Sequence, residues 1–355
     1  MNLDFYEGKR VLVTGHTGFK GTWLCRILVN AGAVVAGYAL APSEDSSLYE
    51  RSGLSTRMKS VCGDIRDYEK LVSLFDEFQP EIVFHLAAQP IVRESYKEPR
   101  YTYETNVMGT VNVMECVRTH PSVRSVLNVT TDKVYWNREW AWGYRETDPL
   151  DGFDPYSNSK SCSELVTHCY KNSFLAEQNT AVSTARAGNV IGGGDFANDR
   201  IIPDCVRAAS KGEVILLRNP WSTRPYQHVL EPLSAYLLIA ERQYGDPQLS
   251  DYYNVGPEDC DCVTTGELAD LFCKYWGENV SWETRAQSSA PHEAGFLKLD
   301  CSKIRQKLGW RPGWHVEECI RQTCRFYRLW VRGEDITWEM DREIAEYFGS
   351  REYNG

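Results

Sequence analysis

The chain has 355 residues, 42% of them hydrophobic and 25% charged, with a formal net charge of −10. That balance excludes a disordered or coiled-coil chain and is enough for one large core or two unequal domains. It also argues against nucleic acid as the main partner, because binding a phosphate backbone requires a concentrated basic footprint and none is visible. No window approaches the ~20 apolar residues of a membrane span, and MNLDFYEGKR runs directly into a short apolar stretch. A soluble, unexported protein of the cytoplasm is therefore expected, without a membrane partner. Twelve cysteines without a C-x-x-C pair read as reduced, buried thiols in a chain long enough to be stabilised by its core.

The run KRVLVTG (9–15) is a short β-branched strand ending in glycine, and the stretch after it reads as an amphipathic helix with Trp23, Leu24, Ile27 and Leu28 apolar. Strand patterns follow at 34–40, 58–65, 81–87, 125–131 and 181–190, with helical stretches at 68–78, around Asn106–Thr119 and from about Tyr156. Strands alternating with helices predict parallel pairing and a doubly wound α/β sheet of Rossmann type. Past residue 190 the rhythm breaks into short strands, Gly/Pro punctuation and isolated helices at 201–211, 265–277 and 315–332. We expect a dinucleotide-binding domain over 1–190 and a smaller α/β domain over 191–355, with crossovers of the chain allowed between them and a ligand cleft where they meet.

Gly15, Gly18 and Gly21 in TGHTGFKG follow the first strand and open the first helix. A tight turn there lets backbone N–H groups and the positive end of the helix face a diphosphate. In this position the G-x-x-G-x-x-G spacing resembles the extended short-chain dehydrogenase/reductase family, and the resemblance covers essentially the whole chain. It implies NAD as the cofactor, held by Gly15, Thr17, Gly18, Phe19, Lys20 and Gly21 of the turn. It further implies Asp64 and Ile65 of CGDI at the adenine, Leu86, Ala87 and Ala88 of LAAQP beside the cofactor, and Asn106. One feature departs from the pattern: the second strand ends in ALAPSED, so the acid expected on the ribose hydroxyls comes late, as Glu44 or Asp45. No arginine stands nearby for a 2′-phosphate, and NAD is favoured over NADP.

Tyr156 and Lys160 in YSNSK share one helix face. The spacing is common by chance, but here it follows the fifth strand where the resemblance implies the catalytic pair. An ammonium beside a phenol is expected to lower its pKa from ~10, so that Tyr156 takes the proton of a sugar hydroxyl as that carbon is oxidised. Lys160 is also implied on the cofactor's ribose. Thr131, Asp132 and Lys133 in VTTDKVY end the fifth strand, where open parallel sheets place their ligands. Epimerases of the family carry small residues after the Ser/Thr, whereas an acid followed by an acid/base residue is similar to the sugar-nucleotide 4,6-dehydratases. Asp-Lys in particular, with GHTGFKG and LGWRPGW (308–314), resembles the branch acting on CDP-glucose. That chemistry oxidises C4, removes the C5 proton, protonates the C6 hydroxyl as it leaves as water, and then reduces C6. Asp132 is expected as the acid and Lys133 as the base, each relying on its surroundings for the required protonation state, with Thr131 on the C4 oxygen.

RAGNVIGGGDF (186–196) is polar and glycine-rich, suited to close backbone approach to a diphosphate. The resemblance implies Asn189 and Arg224 as diphosphate ligands, since a guanidinium fork matches phosphate oxygens, with Gln89, Arg200 and His292 as further substrate contacts. Trp136, Trp140 and Trp142 either line the sugar pocket or pack between domains or subunits. No metal is expected, because none of the seven histidines stands in H-x-x-x-H or beside a cysteine at ligand spacing. The resemblance also implies a homodimer or homotetramer paired through the helices beside Tyr156. Two alternatives remain open: an epimerase or a dehydratase of dTDP-, UDP- or GDP-sugars, and a non-catalytic NAD-sensing scaffold. Retention of both Tyr156 and Lys160 argues against the second.

Overall fold

The computed structural model describes residues 3–42, 48–277, 279–284 and 295–349. Six strands, β1 (Arg10–Thr14), β2 (Val34–Ala39), β3 (Lys59–Cys62), β4 (Ile82–His85), β5 (Ser125–Thr131) and β6 (Ala181–Ala187), join an edge strand, Tyr252–Val255, in one sheet. Their spatial order is edge strand, β6, β5, β4, β1, β2, β3, and every pair is parallel. The chain builds outward from β1 to β3 and then returns to β4 on the other side of β1. That reversal leaves a crevice at the carboxyl ends of β1 and β4, where doubly wound sheets bind ligands.

The expected strands and helices are present with shorter ends. The predicted strand 181–190 stops at Ala187, and Val190–Ile191 pairs instead with Gln227–His228. Helices Tyr68–Phe78, Gly109–Thr119, Ile201–Ser210, Thr265–Trp276 and Val316–Val331 match the sequence reading closely. In the smaller unit, Ile202, Ile215, Leu217, Leu268, Phe272, Ile320 and Tyr327 form a separate core.

The chain does not stay in that unit after residue 190. Helix Leu230–Gly245 is buried on nearly every side, with Leu233, Ala235, Tyr236 and Leu237 inaccessible, which marks a helix of the interior. It packs against β5 and β6, and the edge strand then extends the first sheet. A boundary at 190 therefore divides the sequence but not the fold. All twelve cysteines are unpaired as expected, but only six are buried, and Cys62, Cys169 and Cys260 are exposed.

Strands β5 and β6 are buried at all seven positions each, so their polar residues need partners inside the protein. Glu164, on helix Pro155–Tyr170, supplies several of them. It accepts from Thr130 on β5, from Thr184 on β6 at 2.8 Å and from Arg186 at 2.9 Å, with both members of the ion pair almost wholly buried. Removing one partner of such a pair leaves the other charge buried and uncompensated. Glu164→Ala should lower unfolding stability by about 3–5 kcal/mol in urea titrations, whereas Glu177→Ala, in the exposed loop beyond the helix, should change it by less than about 0.5 kcal/mol.

Candidate active site

The glycine turn is built for close approach. Gly15 has φ +77°, and a Cβ there would lie 2.8 Å from the Ala87 nitrogen; one on Gly21 would lie 2.1 Å from the Gly15 carbonyl oxygen. Both glycines are required to press the turn against the loop after β4 and the opening of helix Phe19–Asn30. Gly18 caps that helix without any side-chain hydrogen bond, so its first N–H groups are left for a ligand. This cradle fits a dinucleotide diphosphate. Thr17 donates to the Leu40 carbonyl at 3.0 Å, and Phe19 and Lys20 face the cavity described below.

At the expected adenine end, Asp64 forms a fork-to-fork pair with Arg66, with Nη2 to Oδ2 at 2.7 Å. That hydrogen bond holds the carboxyl below its ordinary range. Ile65 is buried beside Gly109. No acid stands at the described end of β2, and Glu44 and Asp45 lie outside the described residues. A residue without an assigned role fills that region instead: the His16 ring packs where a side chain on Gly37 would sit, with Nε2 2.7 Å from the Ser60 hydroxyl. Burial pushes His16 down to about 4, so the ring is neutral.

Helix Pro155–Tyr170, capped by Asp154 with Pro155 in its first turn, carries Tyr156 and Lys160 against the end of β5. Thr131 is near enough to Tyr156 to favour its ionised form. Lys160 Nζ donates to the Val129 carbonyl at 3.1 Å. Beside them, fully buried Asp132 accepts through Oδ1 from Thr131 at 3.0 Å and from Lys133 Nζ at 2.9 Å, while its Oδ2 has no partner among the described residues. Lys133 Nζ also reaches Asn189 Oδ1 at 3.2 Å. A buried orphan acceptor costs about 1–3 kcal/mol, and a ligand hydroxyl would satisfy it.

The electrostatics correct one expectation. Lys160 does not lower the Tyr156 phenol; burial pushes Tyr156 up to about 12, and the opposing pulls come from Thr131 and Arg200. Lys160 is itself driven down to about 8 by burial, with Glu164 acting against that shift. In the protein alone, desolvation of both groups outweighs their proximity.

Thr131, Lys133 and Tyr156 open onto a cavity of about 820 Å³, lined by them and Lys20 from the sheet side and by Asn189, Arg200 and Arg224 from the smaller unit; Asp132 and Lys160 are not part of its wall. Arg224 is buried in a short strand, Thr223–Pro225, and donates to the Thr223 carbonyl at 3.2 Å. Arg200 is paired with Asp195 at 2.8 Å. Asp195 lies within the GGGDF run that the sequence reading singled out without giving it a role; a lone acid in a glycine-rich segment was the available signal.

Other expected contacts fall elsewhere. Gln89 spends its amide on Ile91 and Thr102, and Asn106 braces the same loop through Gln89 and Ser159. Both hold the segment after Leu86, Ala87 and Ala88 in place. His292 lies outside the described residues. Trp136 lines the cavity, Trp140 stacks on Tyr144 and Trp142 is exposed. The fold also brings together Cys260, Asp261 and His315, which the sequence does not juxtapose. There Asp261 is occupied by His315 and by the Val316 N–H that opens its helix.

Known proteins resemble this chain in sequence and fold. A Salmonella typhimurium protein named CDP-glucose 4,6-dehydratase is 48% identical, covering 99% of each chain. The Thermus thermophilus UDP-glucose 4-epimerase, solved in complex with NAD, is 26% identical with a TM-score of 0.79, over 90% of this chain and 99% of that one. The Bacillus anthracis dTDP-glucose 4,6-dehydratase, also solved with NAD, shares the fold at 21% identity and a TM-score of 0.76, over 90% and 97% of the two chains. The family described as GDP-mannose 4,6 dehydratase matches residues 12–323, a span that takes in the glycine turn, the Thr131-Asp132-Lys133 triplet, the Tyr156/Lys160 pair and Arg224, and the chain belongs to that family.

Proposed function

We propose that the chain catalyses the 4,6-dehydration of CDP-glucose to the 4-keto-6-deoxy sugar nucleotide and water. The observation that carries this reading is the Asp132–Lys133 contact, Oδ1 to Nζ at 2.9 Å, made by a lysine that lines the cavity together with Tyr156. Epimerisation needs a hydroxyl base and a cofactor alone; loss of water needs a further acid and base. The relative at 48% identity supports CDP-glucose as the substrate.

NAD, when bound, supplies the two-electron acceptor and donor for oxidation at C4 and reduction at C6. The remaining work falls to side chains. Tyr156, as the phenolate, takes the proton of the C4 hydroxyl, aided by the positive charge of Arg200, and Thr131 is assigned to hold the C4 oxygen. Lys133 removes the C5 proton that the new ketone acidifies. Asp132 protonates the C6 hydroxyl as the C6–O bond breaks and water leaves. The resting ion pair and the acid–amine pair required for elimination hold the same number of protons. One transfer along the 2.9 Å contact interconverts them. Asn189, which accepts from Lys133, and Arg224 are assigned to the substrate's diphosphate.

For the assembly, we assign pairing through helix Pro155–Tyr170 and the helical segments beside it, where Leu165 of that helix and Tyr103, Met108 and Phe174 of its neighbours are exposed, as a homodimer or homotetramer. Among the described residues no helix is long and apolar enough to cross a membrane. Twelve unpaired thiols suit the reducing conditions of a cytoplasm.

Incubation with CDP-, dTDP-, UDP- and GDP-linked hexoses plus NAD, followed by mass spectrometry, should show loss of one water from CDP-glucose without net cofactor reduction; an unchanged mass with every sugar would reject the reading. Tyr156→Phe should slow turnover by about 10²–10⁴-fold by removing the proton acceptor at C4. Lys133→Met should still oxidise C4, visible as absorbance of reduced cofactor, yet release no dehydrated product. Undiminished water loss in that variant would remove Lys133 from its role.

A further inference from the structure

The short turn Asp259–Asp261 and the start of helix Val316–Val331 bring a thiol, a carboxylate and an imidazole together away from the cavity wall. Asp261 and His315 lie 54 positions apart, so no local spacing announces the group. Asp261 is buried, whereas Cys260 and His315 are exposed beside it. Its carboxylate is fixed from behind, because Oδ1 accepts from the Val316 N–H at 2.9 Å. The other oxygen, Oδ2, faces the remaining two side chains. It accepts from the Cys260 thiol at 3.7 Å and lies 2.9 Å from His315 Nδ1, and the three donor atoms all fall within 4.8 Å of one another. A tetrahedral zinc ion, with bonds of ~2.3 Å to sulfur and ~2.0 Å to nitrogen and oxygen, spaces sulfur and oxygen about 3.5 Å apart and nitrogen and oxygen about 3.3 Å apart. The two contacts through Oδ2 already have nearly those lengths. A helix cap uses only Oδ1 and an Asp–His pair only Oδ2; neither calls for a thiol, which is a weak hydrogen-bond donor.

We propose that Cys260, Asp261 and His315 are a binding site for one divalent cation of zinc's class, with solvent in the fourth position. A thiolate, an imidazole and a carboxylate are the donor mix of zinc; magnesium and calcium take oxygen alone. Entry of the cation sends the thiol proton to solvent and replaces the direct His315–Asp261 contact by two bonds to metal. The Val316 N–H then orients Asp261, as outer hydrogen bonds orient ligating carboxylates generally. Glu258 stays outside the set, because Arg305 pairs with it at 2.9 Å. The turn runs directly into strand Cys262–Thr264, where Val263 is paired opposite Arg224. His315 caps a helix whose Ile320 and Tyr327 belong to the core of the smaller unit. A bound cation therefore ties the strand beside Arg224 to that helix. Metal binding here is independent of the dehydratase reading, and neither stands or falls with the other.

Full-length protein, reduced and freed of metal with a chelator, is titrated with zinc by calorimetry and with cobalt(II) by absorbance. The samples are wild type, Cys260→Ser, His315→Gln and Cys169→Ser, the last removing an exposed thiol elsewhere. Cys260 and His315 are exposed, so their replacement spares the core, and an unchanged melting profile checks this. The expected result is about one zinc per chain, and a cobalt spectrum with a thiolate charge-transfer band and the strong visible bands of a tetrahedral centre. Cys260→Ser should abolish the charge-transfer band. Each of the two site variants should weaken zinc binding at least about tenfold, with Cys169→Ser matching wild type. Zinc affinity unchanged in either site variant, a charge-transfer band that survives in Cys260→Ser, or wild-type protein that binds no zinc would overturn the proposal.

Discussion

One buried carboxylate fixes the geometry on which the site depends. Glu164 is bound at once to β5 through Thr130 and to β6 through Thr184 and Arg186, so the helix that carries it cannot slide along the sheet. Lys160 lies one turn before Glu164 on that helix, and Tyr156 one turn earlier still. A single network therefore sets the height of the catalytic pair relative to Thr131, Asp132 and Lys133 at the end of β5. Among the described residues, the same carboxylate opposes the loss of charge on buried Lys160. Structural and electrostatic roles converge on one side chain because β5 and β6 are buried at every position and leave it no solvent to share.

The cavity around that frame is rich in cations: Lys20, Lys133, Arg200 and Arg224 all face it. An overall charge of −10 conceals this local reversal, which matches ligands that carry diphosphates. Two of the cations have a protein acid in contact, Lys133 with Asp132 and Arg200 with Asp195, and those acids are themselves buried. The result is a chamber able to hold anions, with the Asp132 carboxylate buried behind its wall, where its interactions are strengthened.

Much of this was legible before any coordinates. The β-turn-α opening, the parallel order and the catalytic triplet and pair follow from short-range patterns: a glycine spacing, a β-branched run, an (i, i+4) relation. The return of Leu230–Gly245 and the edge strand to the first sheet was not legible, because an evenly apolar helix shows no face and so does not reveal where it packs. Gln89 and Asn106 illustrate a second limit. Their side chains brace the loop they sit in, and a short motif does not reveal such distant hydrogen-bond partners. The Tyr156 expectation failed for a third reason: helical spacing shows that two groups share a face but says nothing of the desolvation both undergo. Asp195 and Glu164 were visible as letters; their partners, far away in sequence, were not.

The central claim is that oxidation, loss of water and reduction occur on one sugar in one cavity, with Lys133 handling the C5 proton. CDP-glucose deuterated at C4, turned over in ordinary water and analysed by NMR, tests it most directly. The account predicts product with the deuterium at C6 of the same molecule and a solvent-derived hydrogen at C5. Deuterium lost to the medium, or retained at C4 without loss of water, would contradict it.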